Sequence, residues 1–184
     1  DDRVTWVDVR GLGDEAVLWQ IAELFAIHPL ALESAVNVPH RAASMLYENQ
    51  QVLIARVPVV DAGDSIDAPQ VCFVLGRRSL ITFQERPFGF FDPVRERLRA
   101  AIGPIRKLGP DYLAYALIDL LIDRYYPVAQ ELSEAMEELE EEVIEHPLED
   151  SLGKIHQLQR KLVVIRRIGT PQREALAALL REHS

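Results

Sequence analysis

Apolar residues between positions 113 and 143 recur in steps of three, four and seven: Leu113, Leu117, Leu120, Leu121, Val128, Leu132, Met136, Leu139 and Val143. That spacing draws a stripe down one face of an α-helix and predicts a long helical segment over 111–146. Pro110 and Asp111 suit its start, because a carboxylate there can accept from the free N–H groups of the first turn. Pro127 falls inside the pattern, and a proline ring displaces the carbonyl one turn back, so a kink is expected there. After a short break a second stripe follows, made of Ile155, Leu158, Leu162, Ile165, Leu176 and Leu179. It predicts a helix over 150–182 that continues through Pro171 with a kink, since Leu176 and Leu179 keep phase with Leu158 and Ile165. A connection this short makes the pair an antiparallel hairpin.

The first hundred residues carry a different rhythm. Val4–Val9 alternates and reads as a strand, Gly11–Gly13 as a turn, and Asp14 as the cap of a helix through Leu18, Ile21, Leu24 and Phe25. His28-Pro29 opens a short helix to Asn37 that carries Glu33 and Ser34, followed by a loop over Val38–Arg41. Strands are expected at Met45–Tyr47, Gln51–Val60, Val71–Leu75 and Leu80–Gln84, with Pro58 marking the second as irregular or as a sheet edge. Asp92 as N-cap and Pro93 in the first turn start a helix over Val94–Ile102, which Gly103-Pro104 closes. The expected fold class is therefore α+β or α/β: a mixed β-sheet sandwiched between helices, followed by a long antiparallel helical hairpin. The expected division is an α/β/α domain over 1–109 and the hairpin over 110–184.

Charge separates the two hairpin helices. The first carries Glu131, Glu134, Glu137, Glu138, Glu140, Glu141, Glu142 and Glu145 with no Lys or Arg among them; the second carries Lys154, Arg160, Lys161, Arg166, Arg167 and Arg173. Facing helices of opposite sign are complementary. The whole chain has a net charge of −9, which opposes nucleic-acid binding and suits cations as partners. Cys72 is the one cysteine, so no intrachain disulfide or cysteine zinc site can form. No signal peptide opens the sequence, and no apolar window of spanning length occurs, the best being broken by Asp119.

The run DYLAYALIDLLIDRYYPVAQELSEAMEELEEEVIE, then HQLQRKLVVIRR and PQREALAALLRE, resembles the cytosolic domain of CorA-type magnesium/cobalt transporters. Upstream, WVDV, FAIHPLALESAVN and FFDPVRERLR fit the same family in the same order. The resemblance implies a cytosolic, metal-sensing regulatory domain of a divalent-cation (Mg²⁺/Co²⁺) channel that is a homopentamer in full length. It also implies a place at the cytoplasmic face of the membrane, reached only through stalk and transmembrane helices absent from this sequence, as is the pore's Gly-Met-Asn signature. The zinc-transporting branch of the superfamily and a soluble helical interaction module are the alternatives.

The resemblance also points to residues. In the family the short helix after His-Pro-Leu carries adjacent acidic residues at a regulatory metal site between subunits; Glu33 matches the first, and Ser34 replaces the second carboxylate. Asp119 matches the acidic residue of the family's Leu-Ile-Asp motif, with Asp123 one turn on. Hard divalent cations take oxygen ligands, and Mg²⁺ keeps several waters while touching one or two carboxylates, so Glu33, Asp119 and Asp123 are the expected ligands of Mg²⁺, Co²⁺ or Zn²⁺. The eight glutamates form an acidic arm that attracts cations or simply pairs with the basic helix. Asp61, Asp64 and Asp67 lack calcium-loop spacing and read as a solvated loop, and the five histidines show no metal-binding spacing. Gly11–Ala16 matches a dinucleotide fingerprint, but Asp14 and Glu15 would stand where a pyrophosphate must sit, so no organic cofactor is expected. Without a nucleophile paired to a base, no enzyme is expected.

Overall fold

A computed structural model describes residues 3–145 and 149–182. The first strand, β1 (Thr5–Arg10), leads into α1 (Glu15–Leu24) and α2 (Pro29–Val36). Six strands follow: β2 (Ala43–Tyr47), β3 (Gln50–Arg56), β4 (Val59–Val60), β5 (Ile66–Asp67), β6 (Gln70–Leu75) and β7 (Ser79–Gln84). Then come α3 (Asp92–Arg99), a 3₁₀ turn (Gly103–Arg106), α4 (Pro110–Asp123), α5 (Tyr125–Glu145) and α6 (Glu149–Glu182). The main sheet runs in the order β1-β7-β6-β3-β2, and β4 pairs with β5 in a separate ribbon. β1 lies parallel to β7 while the other neighbours are antiparallel, so the sheet is mixed as expected.

Both faces of the sheet are covered, which is why its central strands read as unbroken apolar runs and not as alternations. Val52, Ile54, Cys72, Val74, Ile81 and Phe83 face α1 and α2 and pack on Leu18, Ala22, Leu32 and Ala35. Their alternate neighbours Leu53, Ala55, Val71, Phe73 and Leu80 face the other way, onto Phe91, Val94, Leu113, Leu117 and Leu121. The end of α6 closes this second layer with Ala175, Leu176 and Leu179.

Several local expectations shift by a few residues. Asp14 caps α1 by accepting from the Val17 N–H at 3.1 Å, and Gly11 takes the positive φ of the preceding turn, so the glycine pair serves the turn. Asp92 is the first residue inside α3 and Phe91 is its N-cap, with no side-chain cap bond, and the helix ends at Arg99. The stretch over 51–60 is irregular at Pro58, as one of the two expectations had it: β3 ends at Arg56 and Val59–Val60 form β4, while β3 itself is an interior strand and not an edge. The break in the first long helix falls at Arg124, three residues before Pro127, which sits in the first turn of α5. A proline has no N–H and crowds the carbonyl four positions back, here Asp123, so the interruption appears upstream of the ring. α6 runs through Pro171 without interruption. The expected helix end at His146-Pro147 lies outside the described residues.

Candidate functional site

α2 is held by its start. His28 Nδ1 accepts from the Leu30 N–H at 3.2 Å, and its ring stacks on Tyr47 at 4.4 Å. Ala31, Leu32 and Ala35 are buried against the sheet, so Glu33 faces outward and is exposed. Ser34 is half-buried, and its carbonyl accepts from Gln70 Nε2 at 3.1 Å. On the other layer α4 buries Leu113, Ala114, Ala116, Leu117 and Leu121, leaving Asp119 and Asp123 exposed one turn apart. Glu33 and the Asp119/Asp123 pair thus project from helices on opposite faces of one sheet. One copy of the chain cannot close them on a single ion. Among the described residues no group of three or more His, Cys, Asp or Glu is placed to hold a metal.

The acidic arm runs antiparallel to α6, as the ion pairs show: Glu142 meets Lys154 at 2.6 Å and Glu131 meets Lys161 at 4.0 Å. Val128 and Leu132 are the residues α5 buries. Glu134 accepts from Gln130 Nε2 at 2.9 Å. Glu137 and Glu140 edge an apolar groove containing Met136, Val143, Ile144 and Ile155. Glu138 and Glu142 share a smaller cleft with Asp64, Lys154 and Lys161. Glu141 is exposed, and the side chain of Glu145 lies outside the described residues. Two lysines therefore offset part of the arm, while Arg160, Arg166, Arg167 and Arg173 stand exposed outside those pairs. Opposite helix charges meet only where side chains share the contact face, a narrower strip than composition suggests.

The loop aspartates are each committed to partners, Asp61 within the loop and the other two to residues far along the chain. Asp61 accepts from the N–H groups of Gly63 and Ser65 at 2.8 and 2.9 Å, Asp64 pairs with Lys161, and Asp67 pairs with Arg86. Burial pushes the Asp67 carboxyl up, but the Arg86 hydrogen bond, the Ala68 N–H and the charges of Arg86 and Arg56 outweigh it and hold the group low.

Two hubs escaped sequence reasoning. The Asp8 carboxylate, 9% exposed, accepts from Thr82 Oγ1 and Gln84 Nε2, both at 2.7 Å, and pairs with Arg10 and Arg95. Arg95 in turn lies over the Trp6 ring at 5.2 Å. At the far end of β3, both main-chain groups of Arg56 are gripped by the hairpin. Tyr125 Oη donates to its carbonyl at 2.7 Å, and its N–H donates to Gln172 Oε1 at 2.9 Å. Burial, with a smaller opposing effect of Arg56, drives the Tyr125 phenol far above its ordinary value, so it stays a neutral donor.

The comparisons with known proteins agree with this architecture. The family model for the CorA-like Mg2+ transporter protein matches residues 1–184. The cobalt/magnesium transport protein CorA of Thermotoga maritima is 37% identical over 179 residues, covering 97% of this chain and 51% of that protein. The putative metal ion transporter YfjQ of Bacillus subtilis is 27% identical, covering 95% of this chain and 53% of its own. The chain thus spans about half the length of these relatives. Among solved structures, the soluble domain of CorA from Methanocaldococcus jannaschii superposes with a TM-score of 0.76 at 16% identity, covering 94% of this chain and 68% of that one. The ZntB cytoplasmic domain from Vibrio parahaemolyticus gives 0.79 at 19%, covering 97% and 70%. A family match over the full sequence, a 37% identical relative and the sheet-and-hairpin fold coincide: the chain belongs to the CorA family.

Proposed function

We propose that this chain is the cytosolic, metal-sensing part of a CorA-type divalent-cation channel, selective for Mg²⁺ or Co²⁺, and not an enzyme. The observation that carries the reading is the 37% identity to a cobalt/magnesium transport protein across almost the whole chain. Its mechanism is linkage: a cation that binds one arrangement of subunits better than another shifts the population toward it. Glu33 on one sheet face and Asp119 and Asp123 on the other suit this, because carboxylates on opposite sides of one copy can each meet a neighbouring copy. Ser34 supplies no charge, so the ion keeps more of its water and binds weakly. The acidic arm raises the local cation concentration without holding any one ion.

The zinc-transporting alternative draws support from Ser34 and from the fold shared with ZntB. At 19% identity that likeness speaks for the fold alone, and the sequence relationship favours Mg²⁺ and Co²⁺.

Thermal unfolding with added Mg²⁺ tests the reading. A ligand stabilises by RT ln(1 + [L]/Kd), so with a dissociation constant on the order of 1 mM, 10 mM Mg²⁺ adds about 1.4 kcal/mol. Glu33→Ala and Asp119→Ala should each blunt that gain, and Glu138→Ala should leave most of it. A full-sized shift in the double variant Glu33→Ala/Asp119→Ala would place the ion elsewhere. Loss in Glu138→Ala alone would move it to the arm.

A further inference from the structure

Where the hairpin crosses the end of the sheet, a cleft of about 650 Å³ opens between α6, the loop after α2 and the β5 segment. About half of its wall is apolar, with Pro39, Ile66, Val164, Ile168 and Pro171. Three guanidinium groups, Arg41, Arg56 from the sheet and Arg167 from α6, belong to the same lining, together with the Asp67 carboxylate. This is an unusual composition for an open surface of a chain whose net charge is −9.

Arg56 is the better held of the two. Its Nε donates to the Ala68 carbonyl at 2.6 Å and Nη1 to the His40 carbonyl at 3.2 Å, which fixes the plane of the group. Nη2 keeps its donors without a partner among the described residues. Burial holds the Arg56 pKa below its ordinary value; Glu85 and Asp67 oppose this and Arg167 adds to it. Arg167 is exposed and enters no ion pair among the described residues. The remaining charges in the cleft are already matched, Arg41 to Glu174 at 2.8 Å and Asp67 to Arg86. Arg56 and Arg167 repel across this half-apolar cleft, and an anion between them would relieve that repulsion beyond the attraction Arg56 already feels from Glu85 and Asp67. The planar fork of arginine favours oxyanions, which can take two parallel hydrogen bonds.

We propose that this cleft binds a small organic anion. Its phosphate or carboxylate head sits between Arg56 and Arg167, and its apolar body lies against Ile66, Val164 and Pro171. The site differs from the metal reading in ligand, residues and place, and either stands without the other. Its ligand would bridge the sheet to α6 beside the Tyr125 and Gln172 bonds to Arg56, so occupancy would also steady the hairpin on the sheet.

Isothermal titration of the 184-residue chain at fixed ionic strength tests it with three probes: inorganic phosphate for the head, phenyl phosphate for head and body, and benzyl alcohol for the body. Phenyl phosphate should bind tighter than phosphate by about tenfold, through the ring's burial on the apolar walls, and benzyl alcohol should give no measurable heat. Arg167→Gln should weaken phenyl phosphate about tenfold with an unchanged melting curve, its side chain being exposed, and Arg167→Lys should fall between. Arg160→Gln, an equal loss of charge on the same helix outside the cleft, should change nothing. Equal weakening by Arg167→Gln and Arg160→Gln would reduce the effect to general charge and overturn the site. So would binding that ignores Arg167, benzyl alcohol binding as well as phenyl phosphate, or no binding of either anion.

Discussion

At the scale of single residues, Asp8 separates what a sequence tells from what a fold requires. In the sequence it is the polar position of WVDV in an alternating strand, a run that supports the family resemblance but does not reveal this residue's partners. In the fold it sits where β1, β7 and α3 meet, and its oxygens are filled by Thr82, Gln84, Arg10 and Arg95. Those partners are 74 to 87 residues away apart from Arg10, so the hub has no signature that a local pattern could carry. Removing one partner of a buried charged pair leaves the other desolvated, so Asp8→Ala should lower unfolding stability by about 3 kcal/mol in a urea titration. Cys72 was legible, because a small apolar residue within VCFVL has only a packing role to fill. It is fully buried, and burial pushes its thiol up to about 12. An alkylating reagent should therefore leave it unlabelled in the native chain and label it fully in denaturant. Asp67 sets a sign for pH. Its folded pKa is depressed, so its stabilising contribution is complete above the unfolded value near 3.8 and is lost as pH falls through the lower folded value. With 45% of the side chain exposed, that contribution stays below about 1 kcal/mol, and the gap to Asp67→Asn should narrow as pH falls below the unfolded value and close below the folded one.

At the scale of elements, periodicity located the main strands and helices, because each buries a face and the face sets the spacing. Boundaries moved where a residue outside the pattern decided them. Pro127 acts on Asp123 through its ring, and Phe91 takes the cap position that Asp92's polarity suggested. The α6 stripe held in phase through Pro171, but the position midway between Ile165 and Leu179 is Gln172, a polar residue 3% exposed. A heptad pattern of apolar residues reads that glutamine as a defect. The fold uses it as a bond to the Arg56 N–H, at the level where Tyr125 begins α5 and binds the Arg56 carbonyl. The hairpin is thus fixed to one residue of one strand by a hydrogen bond from each helix. Tyr125→Phe should cost about 1 kcal/mol, and Gln172→Leu, which orphans a main-chain N–H, about 2 kcal/mol. Their couplings make a further test: if both bonds serve one joint, the double variant will depart from the sum of the two by at least about 0.5 kcal/mol.

At the scale of the whole molecule, the layered sheet and the hairpin were legible because burial patterns are local, whereas the candidate metal site was only half so. Glu33 and Asp119 were picked out through the family resemblance, but which face of the sheet each helix covers is set by chain topology. β1 pairs with β7 across the sequence, and the intervening helices divide between the two layers. That division turns the metal reading into a question about association. If an ion held by Glu33 and Asp119 bridges two copies, its benefit follows mass action in protein as well as in Mg²⁺. Raising the chain concentration tenfold at 10 mM Mg²⁺ should raise the melting temperature, and the same dilution series in a chelator should leave it flat. Sedimentation should show association in Mg²⁺ that Glu33→Ala and Asp119→Ala each abolish. Each removes one side of the bridge, and a carboxylate left alone holds a hydrated ion little better than water does. Glu138→Ala should associate normally, because Glu138 shares its cleft with Asp64, Lys154 and Lys161 and with neither of the two carboxylates. A Mg²⁺ shift that is independent of protein concentration would mean that each copy holds its ion by itself, and the opposite placement of Glu33 and Asp119 then excludes them as joint ligands.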